Sequence, residues 1–327
     1  MKVNANSIMP AAAIAALLVA PMSSAIADNA YPDSPVSVVV HTTAGGSTDV
    51  LARLVFRQLE NHTGATFVVE NHPGAGGQIG YTRLAHAEPD GYTLGTITTM
   101  SIITHELTRS GVTYTYEDNF RPVAQMVLDP SVLVVREDSP YETLEELVEG
   151  SQEDGPLSWG GTFLYGAHHV HALLLGEKTG VSYDYVPFDG ASESRAALLG
   201  GHIDMAAGGF SEFASLADDG EVRILASGGT ERWADYPDVP TYSELGYDIV
   251  LGSNRGFGVP SGTPDDVVEW LQKNIEEVIE TEAFQEEAAR LGLAPSLSYM
   301  SGDEFHSYLL DLQDLMRSIL PEEEMVE

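Results

Sequence analysis

The chain of 327 residues contains no cysteine and only three lysines, Lys2, Lys178 and Lys273. The first absence excludes disulfides, thiolate chemistry, cysteine zinc sites and a lipid-modified cysteine behind a leader. The second goes with a general shortage of positive charge: 15 basic against 50 acidic residues give a formal charge of −35. Such a surface repels itself and repels nucleic acid. At about 1 M salt the Debye length falls to roughly 3 Å and screens that repulsion. The composition therefore reads as a protein of a salty habitat, working outside the cytoplasm. The acidic runs at Glu142–Glu149, Glu276–Glu287 and Glu322–Glu324 read equally well as solvated helix faces, and neither reading marks a site.

Long apolar runs are missing too. A membrane-spanning helix needs about 20 apolar residues, and the stretch Ala11 to Ala20 stops at Pro21. With Lys2 ahead of it and Ala25-Ile26-Ala27 behind, residues 1–27 read as a secretory signal peptide cleaved after Ala27. The mature chain would begin at Asp28 and is long enough to bury a large core without staples. A freely soluble periplasmic protein fits these features.

Common catalytic signatures are absent as well. No Gly-Lys pair occurs, which excludes a Walker A loop, and there is no G-x-S-x-G nucleophile elbow. A dinucleotide fingerprint starting at Gly74 fails at Ile79, with Gly80 one residue late. His168, His169 and His171 lie close together, but adjacent histidines on a helix point in different directions and no H-E-x-x-H accompanies them. One histidine facing a cleft and the others packed or solvated is the expectation, with no metal and no cofactor.

What the chain does have is two glycine-rich loops between a strand and a helix. Ala44-Gly45-Gly46-Ser47-Thr48-Asp49 follows the apolar run Val36–Val40 and precedes a helix over 48–60. Pro73-Gly74-Ala75-Gly76-Gly77-Gln78-Ile79-Gly80 lies between a strand over 66–70 and a helix over 77–87. Glycine lets the main chain approach a ligand, and Ser47, Thr48 and Asp49 are all good helix caps. A helix start offers unpaired N–H donors and about half a positive charge, so a carboxylate or phosphate there needs no lysine. One such junction is also an ordinary tight turn. Two in succession favour a shared anion pocket.

Strands and helices alternate from Tyr31 to about residue 128, which implies a mostly parallel sheet covered by helices on both faces. The turn Pro89-Asp90-Gly91 precedes a strand over 93–98, and Thr98, Thr99 and Ser101 fall at its carboxyl end. Open α/β sheets bind ligands on that side. A second unit begins at Ser131–Val135. It continues through a helix from Leu144, a strand near Leu157–Trp159, a helix over Ala167–Thr179, and strands at Tyr183–Pro187, Ile203–Ala207 and Val222–Ala226. Helices at Asp265–Thr281, Glu282–Leu291 and Asp303–Leu320 close the chain.

Read in order, several short segments resemble the periplasmic substrate-binding proteins of tripartite tricarboxylate transporters, the Bug-type receptors. They are Ala44 to Arg53, Val69 to Gly77, Pro89 to Leu94, Phe120 to Val123, Leu198 to Asp204, Pro237 to Thr241 and Gly262-Thr263-Pro264. The resemblance covers essentially the whole mature chain. It implies an α/β, two-lobed periplasmic binding protein of type II-like form, each lobe a mostly parallel sheet flanked by helices, with the ligand cleft between lobes. Residues 28–129 with 254–327 would form lobe 1, and 130–253 lobe 2. It implies no catalysis: a monomer captures a small organic carboxylate, a di- or tricarboxylate, and passes it to the permease subunits in the membrane.

By the same resemblance, Gly45, Gly46, Ser47, Thr48 and Asp49 hold a ligand carboxylate, Asp49 by orienting the loop, with Thr98, Thr99 and Ser101 beside them. In the second lobe the ligand loop is Gly160 to His169, including Gly161, Thr162, Tyr165 and His169, with Asp204 ahead of the next strand. Gly166 and Ala167 replace the small hydroxyl residues usual in the family, and Phe163, Leu164 and Tyr165 make the loop bulkier. An aromatic acid is therefore a variant ligand. Arg255 is the best cationic candidate, because it follows a predicted strand near the second lobe crossing, with a surface or interdomain salt bridge as its other reading. Two alternatives stay open: a secreted α/β enzyme acting on a small anion, for which no nucleophile, base or metal signature is found, and a receptor presenting an aromatic acid to a sensor kinase.

Overall fold

The computed structural model describes Met1, residues 31–162, 164–188 and 190–320, and Met325. The expected signal peptide, Phe163 and the acidic run 322–324 lie outside the described residues. Strands and helices alternate at first: β1 (Val36–Val40), α1 (Ser47–Thr63), β2 (Phe67–Asn71), α2 (Gln78–Ala85), β3 (Thr93–Thr98) and α3 (Thr99–Thr108). The short α4 (Tyr116–Asn119) leads into β4 (Phe120–Arg136), a strand of 17 residues. Then come α5 (Leu144–Glu153), β5 (Leu157–Gly161), α6 (Ala167–Thr179), β6 (Tyr183–Pro187), α7 (Ala191–Leu199), β7 (Met205–Gly209), α8 (Phe210–Asp218) and β8 (Val222–Ser227). The chain returns through β9 (Gly252–Pro260) and ends with α9 (Asp265–Ile279), α10 (Glu282–Arg290), β10 (Leu297–Ser301) and α11 (Gly302–Ile319).

Local sequence accounts for many of these elements. In α1, Leu51, Leu54, Val55 and Leu59 recur at helical spacing and are buried, and the helix stops at Gly64, whose left-handed backbone returns its N–H to Glu60 O. The start of α11 is a capping box, in which Ser301 and Glu304 each accept the other's backbone N–H.

The strand order is β2-β1-β3-β9-β4-β7-β5-β6, with β8 and β10 also paired to β4. Pairings among β1, β2 and β3, and among β5, β6 and β7, are parallel, as the alternating rhythm predicts. The antiparallel pairings all involve β4 or β9. These two strands cross the molecule. Up to Pro130, β4 pairs with β9; from Ser131 it pairs with β7 and β8. The sequence reading starts a new unit at Ser131, where the backbone instead continues as one strand with a change of partners. Close packing of β4 on β9 requires Gly256, since a Cβ there would overlap the Ala124 carbonyl.

One core joins β1, α1 and α9 through Val38, Leu54, Phe56, Phe257 and Leu271. Another surrounds Trp159, Leu174, Leu225 and Tyr242 and extends to Phe305 and Leu309 of α11. Among the described residues no helix is long and apolar enough to cross a membrane.

Candidate functional site

The carboxyl ends of β1 and β3, the crossing strands and the starts of four helices enclose a cavity of about 360 Å³. Ser47 and Thr48 open α1 on its wall, Thr98 and Ser101 border the start of α3, Ala167 and His168 open α6, and Ser211 and Glu212 open α8. Asp129 and Ser131 come from β4, Ser253 and Arg255 from β9, and His41, Thr42, Gly76 and Gly209 complete it.

Three of these helices have no side-chain cap. The N-cap residues are Gly46 for α1, Thr98 for α3 and Gly166 for α6, and none accepts a first-turn N–H through its side chain. Helices of 17, 10 and 13 residues thus turn their positive ends toward one cavity. The fourth, α8, is already satisfied: Asp129 accepts the Ser211 N–H at 3.1 Å, and Glu212 reaches back to the Gly209 N–H.

His41 is 4 % exposed and neutral, its pKa lowered by burial to about 4. Its Nδ1 lies 2.7 Å from Thr96 Oγ1, and its Nε2 lies 3.1 Å from the Tyr81 hydroxyl and 3.2 Å from Thr98 Oγ1. Tyr81 in turn lies 2.8 Å from Ser101 Oγ and accepts the Thr98 N–H at 3.2 Å. This chain of polar contacts fixes the hydroxyls at the start of α3. Among the described residues neither His41 nor His168 hydrogen-bonds a serine hydroxyl.

The cation is Arg255, 7 % exposed. It lies inside β9, in register with Thr98 of β3 and Val127 of β4, rather than after a strand. Its nearest counter-ion, Asp129, is 3.7 Å away, and its Nε has no hydrogen-bond partner.

Of the residues predicted from sequence, Ser47, Thr48, Thr98, Ser101 and Arg255 meet in this cavity. Gly45 and Gly46 shape the loop before it, Gly45 with a left-handed φ of 81°. Asp49 turns its carboxylate back to the Gly45 N–H, Arg53 and Asn71. Thr99 is fully buried behind the wall.

The second-lobe loop departs further from expectation. The histidine on the cavity wall is His168, not its neighbour His169. His169 packs between Tyr165 and Tyr185, accepts the Tyr165 N–H at 3.0 Å, and burial lowers its pKa to about 4. His171 points a third way, 2.7 Å from the Tyr242 hydroxyl. Gly161 and Thr162 support the loop: a Cβ on Gly161 would overlap the Tyr185 hydroxyl, which donates to Thr162 O. Asp204 stands at the opposite end of β7 from Gly209 and accepts the Ser158 N–H and hydroxyl. Tyr165 is not among the residues that line the cavity. No cluster suited to a metal ion occurs among the described residues.

Sequence reasoning missed His41, Asp129, Ser211 and Glu212. Asp129 carries one signal, an acidic residue between apolar runs that turns out 4 % exposed. A larger cavity of about 680 Å³ lies beside Arg109, Tyr114 and Arg317. Its arginines are engaged, Arg317 with Glu106 at 3.5 Å and Arg109 with Ala75 O at 2.6 Å, so the smaller cavity is the better anion site.

Residues 51–320 match the tripartite tricarboxylate transporter family receptor. A Cupriavidus necator protein from the gbd 5′ region is 31 % identical over 317 residues, covering 95 % of this chain and 94 % of its own. A solute-binding protein from Polaromonas, solved without ligand, superposes with a TM-score of 0.78 at 29 % identity over 88 % of this chain and 99 % of its own. An R. palustris protein with adipate superposes with a TM-score of 0.70 at 25 % identity over 88 % of this chain and 98 % of its own. The chain belongs to the family of tripartite tricarboxylate transporter receptors, two-lobed solute-binding proteins of the periplasmic type.

Proposed function

We propose that this receptor closes on a small organic carboxylate, a di- or tricarboxylate, and delivers it unchanged to the membrane permease of a tripartite tricarboxylate-type transporter. One observation carries the reading: three uncapped helix starts and the buried Arg255 face the same polar cavity. Helix starts and a guanidinium both supply hydrogen-bond donors and positive potential, which a carboxylate requires. The adipate-bound relative supports the ligand class.

In this reading residues 28–129 with 254–327 form one lobe and 130–253 the other, hinged where β4 exchanges partners between Pro130 and Ser131. Ligand contacts made in the closed form stabilise it by more than closure costs. The protein works as a monomer in the periplasm after removal of residues 1–27, and its charge of −35 suits a salty medium.

A thermal-shift screen of the mature protein in high salt tests this. A ligand at a hundredfold excess over its Kd stabilises by about 2.7 kcal/mol. A selective shift with di- or tricarboxylates is the expected result. Shifts confined to sugars, or none from protein shown empty by mass spectrometry, would overturn the reading.

A further inference from the structure

The second glycine loop, between β2 and α2, meets the cavity through Gly76. Gly74, Ala75, Gly76 and Gly77 all have positive φ, at 129°, 47°, 63° and 104°, a run in which Ala75 carries strain. Arg109, the C-cap residue of α3, holds this run: its Nη1 donates to Ala75 O at 2.6 Å. A Cβ on Gly76 would come within 3.0 Å of Arg109 Nη2, so the guanidinium packs against a residue of the cavity wall without lining the cavity itself.

The charge of Arg109 is unlike the others in this chain. Among the described residues every other arginine and both lysines have a carboxylate within 4.0 Å, whereas Arg109 has a neutral carbonyl. The full charges on the cavity wall are matched in pairs: Arg255 faces Asp129 at 3.7 Å and Glu212 faces Arg195 at 3.0 Å. The C-terminal end of α3 offsets about half of the Arg109 charge at most. The remainder acts inward. His105, 2 % exposed, has its pKa lowered to about 3, by burial first and by Arg109 next. An anion approaching a chain of formal charge −35 meets repulsion, and matched pairs return little of it. An unmatched cation next to the wall raises the potential inside without touching the ligand.

We propose that Arg109 is a positioning residue of the receptor that also supplies charge: it clamps the Gly74–Gly77 loop and lends the cavity an unmatched positive charge from outside its wall. This role rests on the carboxylate-receptor reading above.

Titration calorimetry with citrate, adipate and succinate at low and high salt tests it. Between about 0.15 M and 1 M salt the Debye length falls from about 8 Å to about 3 Å, which weakens a charge acting at a distance but not a clamp. R109Q keeps an amide donor for Ala75 O and loses the charge. It binds whichever acid the wild type binds about fivefold more weakly at the lower salt, and the ratio shrinks at the higher. R109K restores the affinity. R290Q removes one positive charge from an exposed pair with Glu287 on α10 and leaves affinity unchanged. Wild-type affinity in folded R109Q, a ratio that does not change with salt, or an equal loss in R290Q overturns the role and leaves the receptor reading standing. S110E sets a carboxylate beside Arg109 at an exposed position that shares its cavity of about 680 Å³, and weakens binding with the same salt dependence. Full affinity in S110E at the lower salt overturns the role even if R109Q misfolds. A wild type that binds none of the three acids overturns the receptor reading and this role together.

Discussion

The carboxylate of Asp49 accepts the N–H of Gly45 at 2.8 Å, closing the loop that leads into its own helix. Arg53 Nε at 3.0 Å and Asn71 Nδ2 at 2.9 Å hold it from the other side. Burial by itself would raise its pKa, but these donors outweigh burial and keep the group below its ordinary value. Asp49 therefore spends its charge on shaping the loop, and Ser47 and Thr48 are left to face the cavity.

Replacing Asp49 by alanine is expected to lower stability by about 1–3 kcal/mol, because the Gly45 N–H, Arg53 and Asn71 lose a shared acceptor. Carboxylate affinity falls with it as the loop loosens. Chemical denaturation and calorimetry on the same variant read both effects. A variant with full affinity would separate loop order from binding.

Thr48→Trp and Ser101→Trp should each abolish ligand binding while leaving the far-ultraviolet dichroism native. Both side chains lie on the cavity wall, and an indole fills space within about 360 Å³. Unaltered affinity in both variants would move the site elsewhere.

Stability should fall as the pH drops from about 6.5 toward 4. His41 is held neutral by burial with a pKa of about 4, and His169 likewise, so the unfolded chain takes up protons across that window and the folded one does not. Each such group contributes stability that is complete above 6.5 and lost below about 4. Lowering the His41 pKa from 6.5 to about 4 corresponds to a contribution on the order of 3 kcal/mol. His41→Gln should lessen the pH dependence of the denaturation midpoint between 4 and 6.5, the rest being carried by His105, His169 and His171, which burial also holds below their ordinary value; a slope equal to that of the wild type would assign the whole effect to those other groups.

Moving the protein from molar to millimolar salt should lower the melting temperature. The formal charge of −35 is spread over a single chain with 15 basic residues, and dilution lengthens the range of its self-repulsion. A flat melting temperature across that range would remove salt adaptation as the reason for the composition.

The shape of the first loop was legible because it rests on local chemistry. Gly45 supplies the left-handed turn, Gly46 ends the strand-to-helix junction without a cap, and Ser47 and Thr48 follow at the helix start. Nothing remote is needed to read that. His168 and His169 show the opposite case. They are neighbours on α6, and a helix rotates by about 100° per residue, so one meets the cavity and the other an aromatic pair. Only the packing of Tyr165 and Tyr185 decides which.

Asp129 and Ser211 lie 82 positions apart and meet because β4 pairs with β7 at Ser131 and Gly209, which brings the start of α8 against the crossing strand. In the sequence Arg255 stands out for following a predicted strand, but its surroundings depend on lying inside β9 beside β4, where burial leaves its Nε without a hydrogen-bond partner. By itself the sequence determined the alternating elements, the acidic surface, the absence of cysteine chemistry and the glycine loop at the start of α1, because each depends on residues near one another in the chain. Tertiary structure alone decided which helix starts converge, which histidine faces the cavity and which carboxylate opposes Arg255. Those are long-range pairings, fixed by the register of two crossing strands and by the direction in which each buried side chain leaves its backbone.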